Sequence, residues 1–295
     1  MERPAAYLAL DVGGTKLAAG VVTQDGTVLV RDRVPTPARE PWRAVAALVQ
    51  RVRAAVDGVE LVACGVACGG PMRPGGEQVS PLHIPAWRDF ELRREVAELT
   101  GLATFVDNDA KALVLGEHWQ GAAQGQRNCM AVVVGTGVGG GILLDGRLLE
   151  GRLGNAGHIG HVVVEPDGWP CACGGRGCLE AYICGRAVQS ETGRPPGRAP
   201  ASIVERNGRL LGRAVASVVA LLDLPLTVVG GSVALGFGAP FFEAAQRELT
   251  ERARLEFAAS AVIRPVGLGP MAPLIGAAAV ARHGLASGHA TDVHA

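Results

Sequence analysis

One histidine and three cysteines form the densest chemical grouping in the chain: His161, then Cys171-Ala172-Cys173 and Cys178 within Cys-Ala-Cys-Gly-Gly-Arg-Gly-Cys. One imidazole and three thiolates make a closed tetrahedral donor set for Zn²⁺, and Gly174, Gly175 and Gly177 permit the sharp turns that bring such closely spaced ligands onto one ion. Four protein ligands leave no position for an activated water, so an ion held this way is structural. Cys184 falls outside the spacing and reads as a helix residue, while Cys64, Cys68 and Cys129 read as small buried apolar residues.

Two glycine-rich turns offer a different chemistry, since backbone N–H groups converging around glycines cradle phosphate oxygens without any net positive charge. The first is Asp11-Val12-Gly13-Gly14-Thr15-Lys16. Thr15 adds a hydroxyl, and Asp11 can hold Mg²⁺ through water. The alternative is a tight hairpin that carries surface polar residues. The second, Gly135-Thr136-Gly137-Val138-Gly139-Gly140-Gly141, formally contains GxGxxG. An apolar β-like run follows it, however, where a dinucleotide-binding turn must open into a helix. Facing one another, the two turns would grip a nucleotide's phosphates from both sides of a cleft. A third run, Val228-Val229-Gly230-Gly231-Ser232, either lets an adenine or ribose approach the backbone or simply ends a helix–strand unit.

Val106-Asp107-Asn108-Asp109-Ala110 sets three polar side chains at a strand-to-helix corner. Asp109 there can accept a proton from a substrate hydroxyl, because phosphoryl transfer needs a positioned base more than covalent chemistry. Helix capping is the competing role for all three. Lys111, two residues on, is either a phosphate neighbour or an exposed helix charge, and reads as the second.

The elements that must position these groups show an internal echo. Tyr7 to Asp11 reads as a strand, followed by a glycine turn, apolar Leu17 to Val22, an Asp25-Gly26 hairpin turn and a further strand from Val28 to Val30. Met130 to Val134 opens a second copy of that plan, with Gly141 to Leu144, Asp145-Gly146 and Leu148-Leu149. Asp-Gly between β-rich runs is a strong hairpin signal, so two lobes built alike are expected. Apolar periodicity predicts helices over Trp42 to Val56, Leu92 to Leu99, Ala110 to Gln120 and Leu210 to Leu222, and the Pro- and Gly-rich Arg194 to Pro200 reads as a connection. Strands alternating with helices place the chain in the α/β class.

Composition narrows the partners. Of 295 residues 48% are apolar and 19% charged, enough to build a large core and unlike a disordered chain. Basic and acidic residues balance at 28 each, so no bulk field attracts nucleic acid or an anionic membrane. The N-terminus lacks the apolar run of a signal peptide and no stretch spans a membrane uninterrupted, which points to a cytoplasmic protein. The first strand starts near residue 7, leaving no room before it for a helix-turn-helix module.

Taken together, these motifs resemble the ROK family of sugar kinases and related repressors, in the hexokinase and actin-like ATPase superfold. Asp11 to Lys16 resembles its first phosphate motif, Gly135 to Gly141 its second, Val229-Gly230-Gly231 its nucleotide motif and Asn108-Asp109 its sugar-and-base pair. Gly157-His158-Ile159-Gly160-His161, followed by Cys171-Ala172-Cys173-Gly174 and Gly177-Cys178-Leu179-Glu180, resembles its zinc signature. The resemblance implies two actin-like, ribonuclease H-like lobes around a cleft. Residues 1–109 would form the smaller lobe and 110–275 the larger, zinc-bearing one, with a C-terminal helix over about 276–295 packing back on the first. It implies that Asp109 is the general base toward a hexose primary hydroxyl attacking Mg·ATP, and that Gly70, His83, Asn108, His158, His161 and Glu180 hold the sugar. The phosphates and nucleotide would then be met by Asp11, Gly13, Gly14, Thr15, Lys16, Gly135, Thr136, Gly137, Gly230 and Gly231. A homodimer or homotetramer is implied as well. Two departures fall on the sugar side. His158 stands where the family usually carries Glu, and His83, in Ser80 to Trp87, where Asn is common. A carboxylate accepts from two adjacent hydroxyls whereas a neutral imidazole offers one donor and one acceptor, so the preferred hydroxyl pattern differs.

Overall fold

The computed structural model describes residues 3–288. Its elements run β1 (Ala5–Val12), β2 (Lys16–Thr23), β3 (Val28–Pro35), α1 (Pro41–Ala54), β4 (Glu60–Cys68), α2 (Leu92–Thr100), β5 (Thr104–Asn108), α3 (Asp109–Gln120), β6 (Cys129–Val134), β7 (Val138–Leu144), β8 (Arg147–Leu148), α4 (Glu180–Ile183), α5 (Gly185–Thr192), α6 (Ala201–Leu222), β9 (Leu226–Gly230), α7 (Ser232–Phe237), α8 (Ala239–Arg252), β10 (Val262–Pro265) and α9 (Ala272–Ala286). They fall into two compact units. The first comprises the chain through Gly121, Glu150–Asn155 and the chain from Leu268 onward; the second comprises Ala122–Leu149 and Ala156–Gly267.

Each unit is built on a five-stranded mixed sheet, and the two sheets share one plan. The first has the order β3-β2-β1-β4-β5 and the second, taken from its opposite edge, β8-β7-β6-β9-β10. In both, an antiparallel hairpin is extended by two strands parallel to its first member. The echo in the sequence is therefore a duplicated sheet, as expected. Burial follows sheet position. Ala6 to Leu10 of the central β1 are buried without interruption, whereas the edge strand β3 alternates between half-buried and exposed residues. The Asp145-Gly146 turn behaves as anticipated, with positive φ at both residues, 51° and 77°, whereas in Asp25-Gly26 only the glycine takes positive φ, at 87°.

In the first unit the helices α3 and α9 lie together against β4. Only glycine fits at Gly65 of β4, where a methyl group would stand 1.9 Å from the Ala277 carbonyl oxygen of α9. This packing carries α3 into the first unit, so the boundary falls at Gly121 where the sequence suggests Asp109. The helix expected from about residue 276 starts at Ala272 and belongs to the first unit; residues 289–295 lie outside the described residues. In the second unit α6 begins at Ala201, well before the expected Leu210. Asn207 and Gly208 interrupt the apolar pattern; Asn207 is fully buried, and Gly208 faces α8, where a methyl would meet the Phe241 carbonyl oxygen at 2.4 Å. Among the described residues no helix is long and apolar enough to cross a membrane.

Candidate active site

Strands β1, β4 and β5 run parallel, and their register places Asp11 opposite Ala67 and Ala67 opposite Asp107. The next row holds Val12, Cys68 and Asn108. These rows lie at the carboxyl ends of the strands, where open α/β sheets bind ligands. The turn after β1 is pinned from within the unit. The Gly13 N–H donates to the Lys16 carbonyl at 3.0 Å, the Thr36 hydroxyl to the Gly13 carbonyl at 2.6 Å, and the Thr36 N–H to the Thr15 carbonyl at 3.1 Å. Thr15 and Lys16 are left exposed.

His83 packs directly on this turn. A methyl at Gly14 would lie 2.2 Å from the His83 Cβ, so the second glycine is required by the histidine above it. The loop bearing His83 reaches Gly70, whose carbonyl accepts the Leu82 N–H at 3.4 Å, and a methyl at Gly70 would come within 3.5 Å of Asn108 Nδ2. Asp11, Gly13 to Lys16, Gly70, His83, Asn108 and Asp109 thus share one neighbourhood of the first unit.

Capping and a chemical role coexist at the β5–α3 corner. Asn108 Oδ1 and Asp109 Oδ1 both accept the Ala110 N–H, at 3.0 and 2.8 Å. Asp109 is open to solvent on one side, yet the protein around it depletes the hydration of its carboxylate and pushes its pKa up. Burial likewise pushes Asp11 up to about 6, against the favourable Lys16 charge and with a contribution from the Asp109 charge. Asp107 is raised to about 6 by burial, partly opposed by Lys111. A raised carboxyl keeps its proton to higher pH, so the ionised fraction of Asp109 falls as pH drops through a value above the ~3.9 of an ordinary aspartate. If Asp109 is the base, kcat/KM against pH should show an acid limb with its midpoint above that value. Activity that stays level down to pH 4 would count against the assignment.

Lys111 is not the exposed charge expected from the sequence. Its side chain is 2% exposed, bonds the Glu150 carboxylate and lies 3.6 Å from Asp107 Oδ1. Sequence reasoning missed this cluster because Glu150 is remote in the chain. The Asp107–Lys111 half, at a spacing of four, was there to be read.

In the second unit the β6–β7 turn closes through the Gly135 N–H, which donates to the Gly137 carbonyl at 2.9 Å. Glu180, at the start of α4, accepts the Val138 N–H on Oε2 at 2.7 Å, and that oxygen would lie 2.8 Å from a methyl at Gly137. The Gly185 N–H donates to the Gly135 carbonyl at 2.8 Å, which ties the start of α5 to the same turn. Gly230 ends β9 beside β6, and Gly231, between β9 and α7, packs its backbone against Val134. The turn around Thr136, Glu180 and the Gly230-Gly231 pair are thereby gathered at one end of this sheet.

His161, Cys171, Cys173 and Cys178 converge so that their ligand atoms all lie within 4.8 Å of one another. Cys173 Sγ and Cys178 Sγ are 3.8 Å apart, and His161 Nδ1 is 3.9 Å from Cys171 Sγ. Zn–S bonds of about 2.3 Å in a tetrahedron put sulfurs about 3.8 Å apart, so the donor set fits Zn²⁺ in both chemistry and size. His161 presents Nδ1 to the cluster, and its ring stands 6.1 Å from that of His158 at an interplanar angle of 27°. Cys184 stays outside and caps α5, accepting the Ala187 N–H at 3.4 Å. Cys64, Cys68 and Cys129 are fully buried, as expected.

Against known proteins, the model of the ROK family matches residues 7–283. A glucokinase from Streptomyces coelicolor is 39% identical over 181 residues, which is 61% of this chain. The chain spans only 57% of that enzyme's length. An N-acetylmannosamine kinase from Escherichia fergusonii is 35% identical over 250 residues, covering 78% of this chain and 84% of the relative. Among solved structures, a ROK family glucokinase from Streptomyces griseus in complex with glucose and AMPPNP superposes with a TM-score of 0.81. It is 30% identical over 95% of this chain and 100% of that one.

Proposed function

The chain belongs to the ROK family, and from that premise we propose that it is a sugar kinase of the glucokinase type, transferring the γ-phosphoryl group of Mg·ATP to the 6-hydroxyl of a hexose. The observation that carries this reading is the meeting, in the first unit, of Asp109 with Asp11 and the pinned Gly13–Gly14 turn at the ends of parallel strands. Asp109 takes the proton from the attacking hydroxyl. Asp11 holds the Mg²⁺ through water. The Gly13 and Gly135 N–H groups close the two turns themselves, while the N–H groups of Gly14 and Thr15 in the first turn, and of Thr136 and Gly137 in the second, meet the phosphates. Lys16 adds a positive charge beside them, and the Gly230-Gly231 backbone lies against the nucleoside. Since the transition state of phosphoryl transfer asks chiefly for positioning and charge stabilisation, these groups suffice without a covalent intermediate.

Asn108, Gly70 and His83, with His158, His161 and Glu180, are proposed to hold the sugar. Zn²⁺ bound by His161, Cys171, Cys173 and Cys178 would be structural and would fix the His161 ring, leaving its second nitrogen to orient a hydroxyl. The same reading makes the protein a cytoplasmic homodimer or homotetramer that uses neither nucleic acid nor membrane.

His158 favours a second reading within the same chemistry. An imidazole where the family places a carboxylate reads a different hydroxyl pattern, which admits N-acetylmannosamine, mannose, fructose or allose as the acceptor. ADP release measured with Mg·ATP across aldohexoses, ketohexoses and N-acetylamino sugars decides between them. We expect sugar-dependent turnover with at least one, abolished by removing Mg²⁺ while the fold persists. Sugar binding without ADP release from any of them would make the chain a non-catalytic sugar-binding member and overturn the kinase reading.

A further inference from the structure

Lys111 is one of only two lysines in a chain with 28 basic residues, and the other, Lys16, sits in the first glycine turn. An ammonium group this deeply buried is tolerated only where carboxylates and hydrogen bonds replace its lost water. Lys111 meets that requirement with two carboxylates from different parts of the first unit: Asp107 of β5, and Glu150 of Glu150–Asn155. That short stretch belongs to the first unit although the chain on either side of it belongs to the second. Glu150 is half exposed, so one partner is anchored at the surface and the other inside.

The network does not end at the ion pairs. Asp107 Oδ1, the oxygen nearest the ammonium, also accepts the backbone N–H of Asn108 at 2.7 Å. Asn108 and Asp109 then share the Ala110 N–H. A continuous line of polar contacts therefore runs from Glu150 through Lys111 and Asp107 to the backbone of the corner that carries Asn108 and Asp109. Lys111 also offsets part of the negative charge of the strand row, against which Glu150 adds its own. Asp107 shares a row with Asp11, and without a cation it would add uncompensated negative charge where Asp11 and Asp109 must meet a polyphosphate.

We propose that Lys111 is a positioning residue for phosphoryl transfer: bridged between Glu150 and Asp107, it locks the β5–α3 corner so that Asn108 and Asp109 face the acceptor hydroxyl in a single orientation. This rests on Asp109 being the base. A pair serving only to hold the fold would affect melting temperature and the yield of active protein. A positioning pair acts selectively on the sugar side of the reaction, because the corner carries the base and a sugar-holding amide.

The test compares Lys111→Met, Glu150→Gln, the double variant and Asp109→Asn with the parent protein, using Mg·ATP and the sugar that the parent turns over best. Lys111→Met should lower kcat by about 10–100-fold, the scale expected when a reacting group is misplaced by about 1 Å. It should also raise KM for the sugar while leaving KM for ATP within about twofold of the parent. Glu150→Gln, at a half-exposed site, should move the same two parameters in the same direction by about 3–10-fold, and the double variant should be no worse than Lys111→Met, because both act through one network. If Lys111→Met does not fold, the Glu150→Gln pattern alone decides. Parent-like kcat and sugar KM in the folded variants, with Asp109→Asn inactive, would overturn the positioning role and leave the base assignment intact. Parent-like turnover by Asp109→Asn would remove the base assignment, and the positioning role with it.

Discussion

Asp109→Asn is expected to lower kcat by about 10²–10⁴-fold, the range that a positioned general base contributes, while the protein melts at nearly the parent temperature. The substitution is close to isosteric. Its amide oxygen can still accept the Ala110 N–H that Asp109 Oδ1 takes at 2.8 Å, and Asn108 Oδ1 already accepts the same donor. The cap of α3 therefore survives, and what disappears is the ionised oxygen. Stability even has reason to improve slightly, because burial disfavours the charged form of Asp109 in the folded protein. Binding of Mg·ATP should change little, since neither the glycine turns nor Asp11 is altered. A loss of kcat with retained nucleotide binding and an unchanged melting temperature is the pattern to look for. An equal loss in melting temperature would recast Asp109 as a capping residue alone.

On the reading that His161, Cys171, Cys173 and Cys178 hold a structural Zn²⁺, stripping that ion should produce the largest change in stability. Cys171 and Cys178 are buried, and the backbone around them is knit to neighbouring segments: the Leu179 N–H donates to the Val162 carbonyl at 3.0 Å and the Val164 N–H to the Gly177 carbonyl at 2.8 Å. Leu179, Tyr182 and Val164 beside them belong to the core of the second unit. Without an ion, three thiols and an imidazole drawn this close have no partner that repays their convergence. Structural Zn²⁺ contributes its binding free energy to folding, and even a share of about 4 kcal/mol would lower Tm by roughly 8–16 °C for a unit of this size. Chelation, or Cys178→Ser, should give that drop together with the loss of about one zinc per chain by metal analysis. Because Glu180 follows Cys178 closely and bonds the Val138 N–H of the second glycine turn, KM for ATP should rise in partially stripped protein before the unit melts. Native protein purified without zinc, or a Tm indifferent to chelation, would contradict the structural role.

What could be read from the sequence was whatever is encoded locally. The Asp-Gly turns, the apolar runs flanking them and the repeated glycine turns specify hairpins by short-range chemistry, and two hairpins built alike foretold two sheets of one topology. The cluster of His161, Cys171, Cys173 and Cys178 was legible for the same reason, since three of the four lie within eight consecutive residues and glycines between them allow the turns. Features decided by packing across long stretches were not. The first half of α6 is hidden in the sequence because Asn207 and Gly208 look like breakers in isolation, and Gly208 becomes reasonable only against the Phe241 backbone of α8. The grouping of α3 with the first unit is not legible locally, because it depends on α9, which lies far along the chain. Lys111 failed as an expectation on the same ground. Nothing near it announces Glu150, and a lone lysine at the start of a helix ordinarily faces water. The contact of His83 with Gly14 is also long-range and explains a glycine that the phosphate turn alone does not demand.

The most direct test of the account is a crystal structure of the protein with its best sugar and a non-hydrolysable ATP analogue. The account predicts the Asp109 carboxylate within hydrogen-bond reach, about 2.6–3.2 Å, of the sugar's primary hydroxyl, with that oxygen in line with the γ-phosphorus. A sugar bound with its primary hydroxyl turned away from Asp109, or a triphosphate seated away from the Gly13–Gly14 turn, would contradict it.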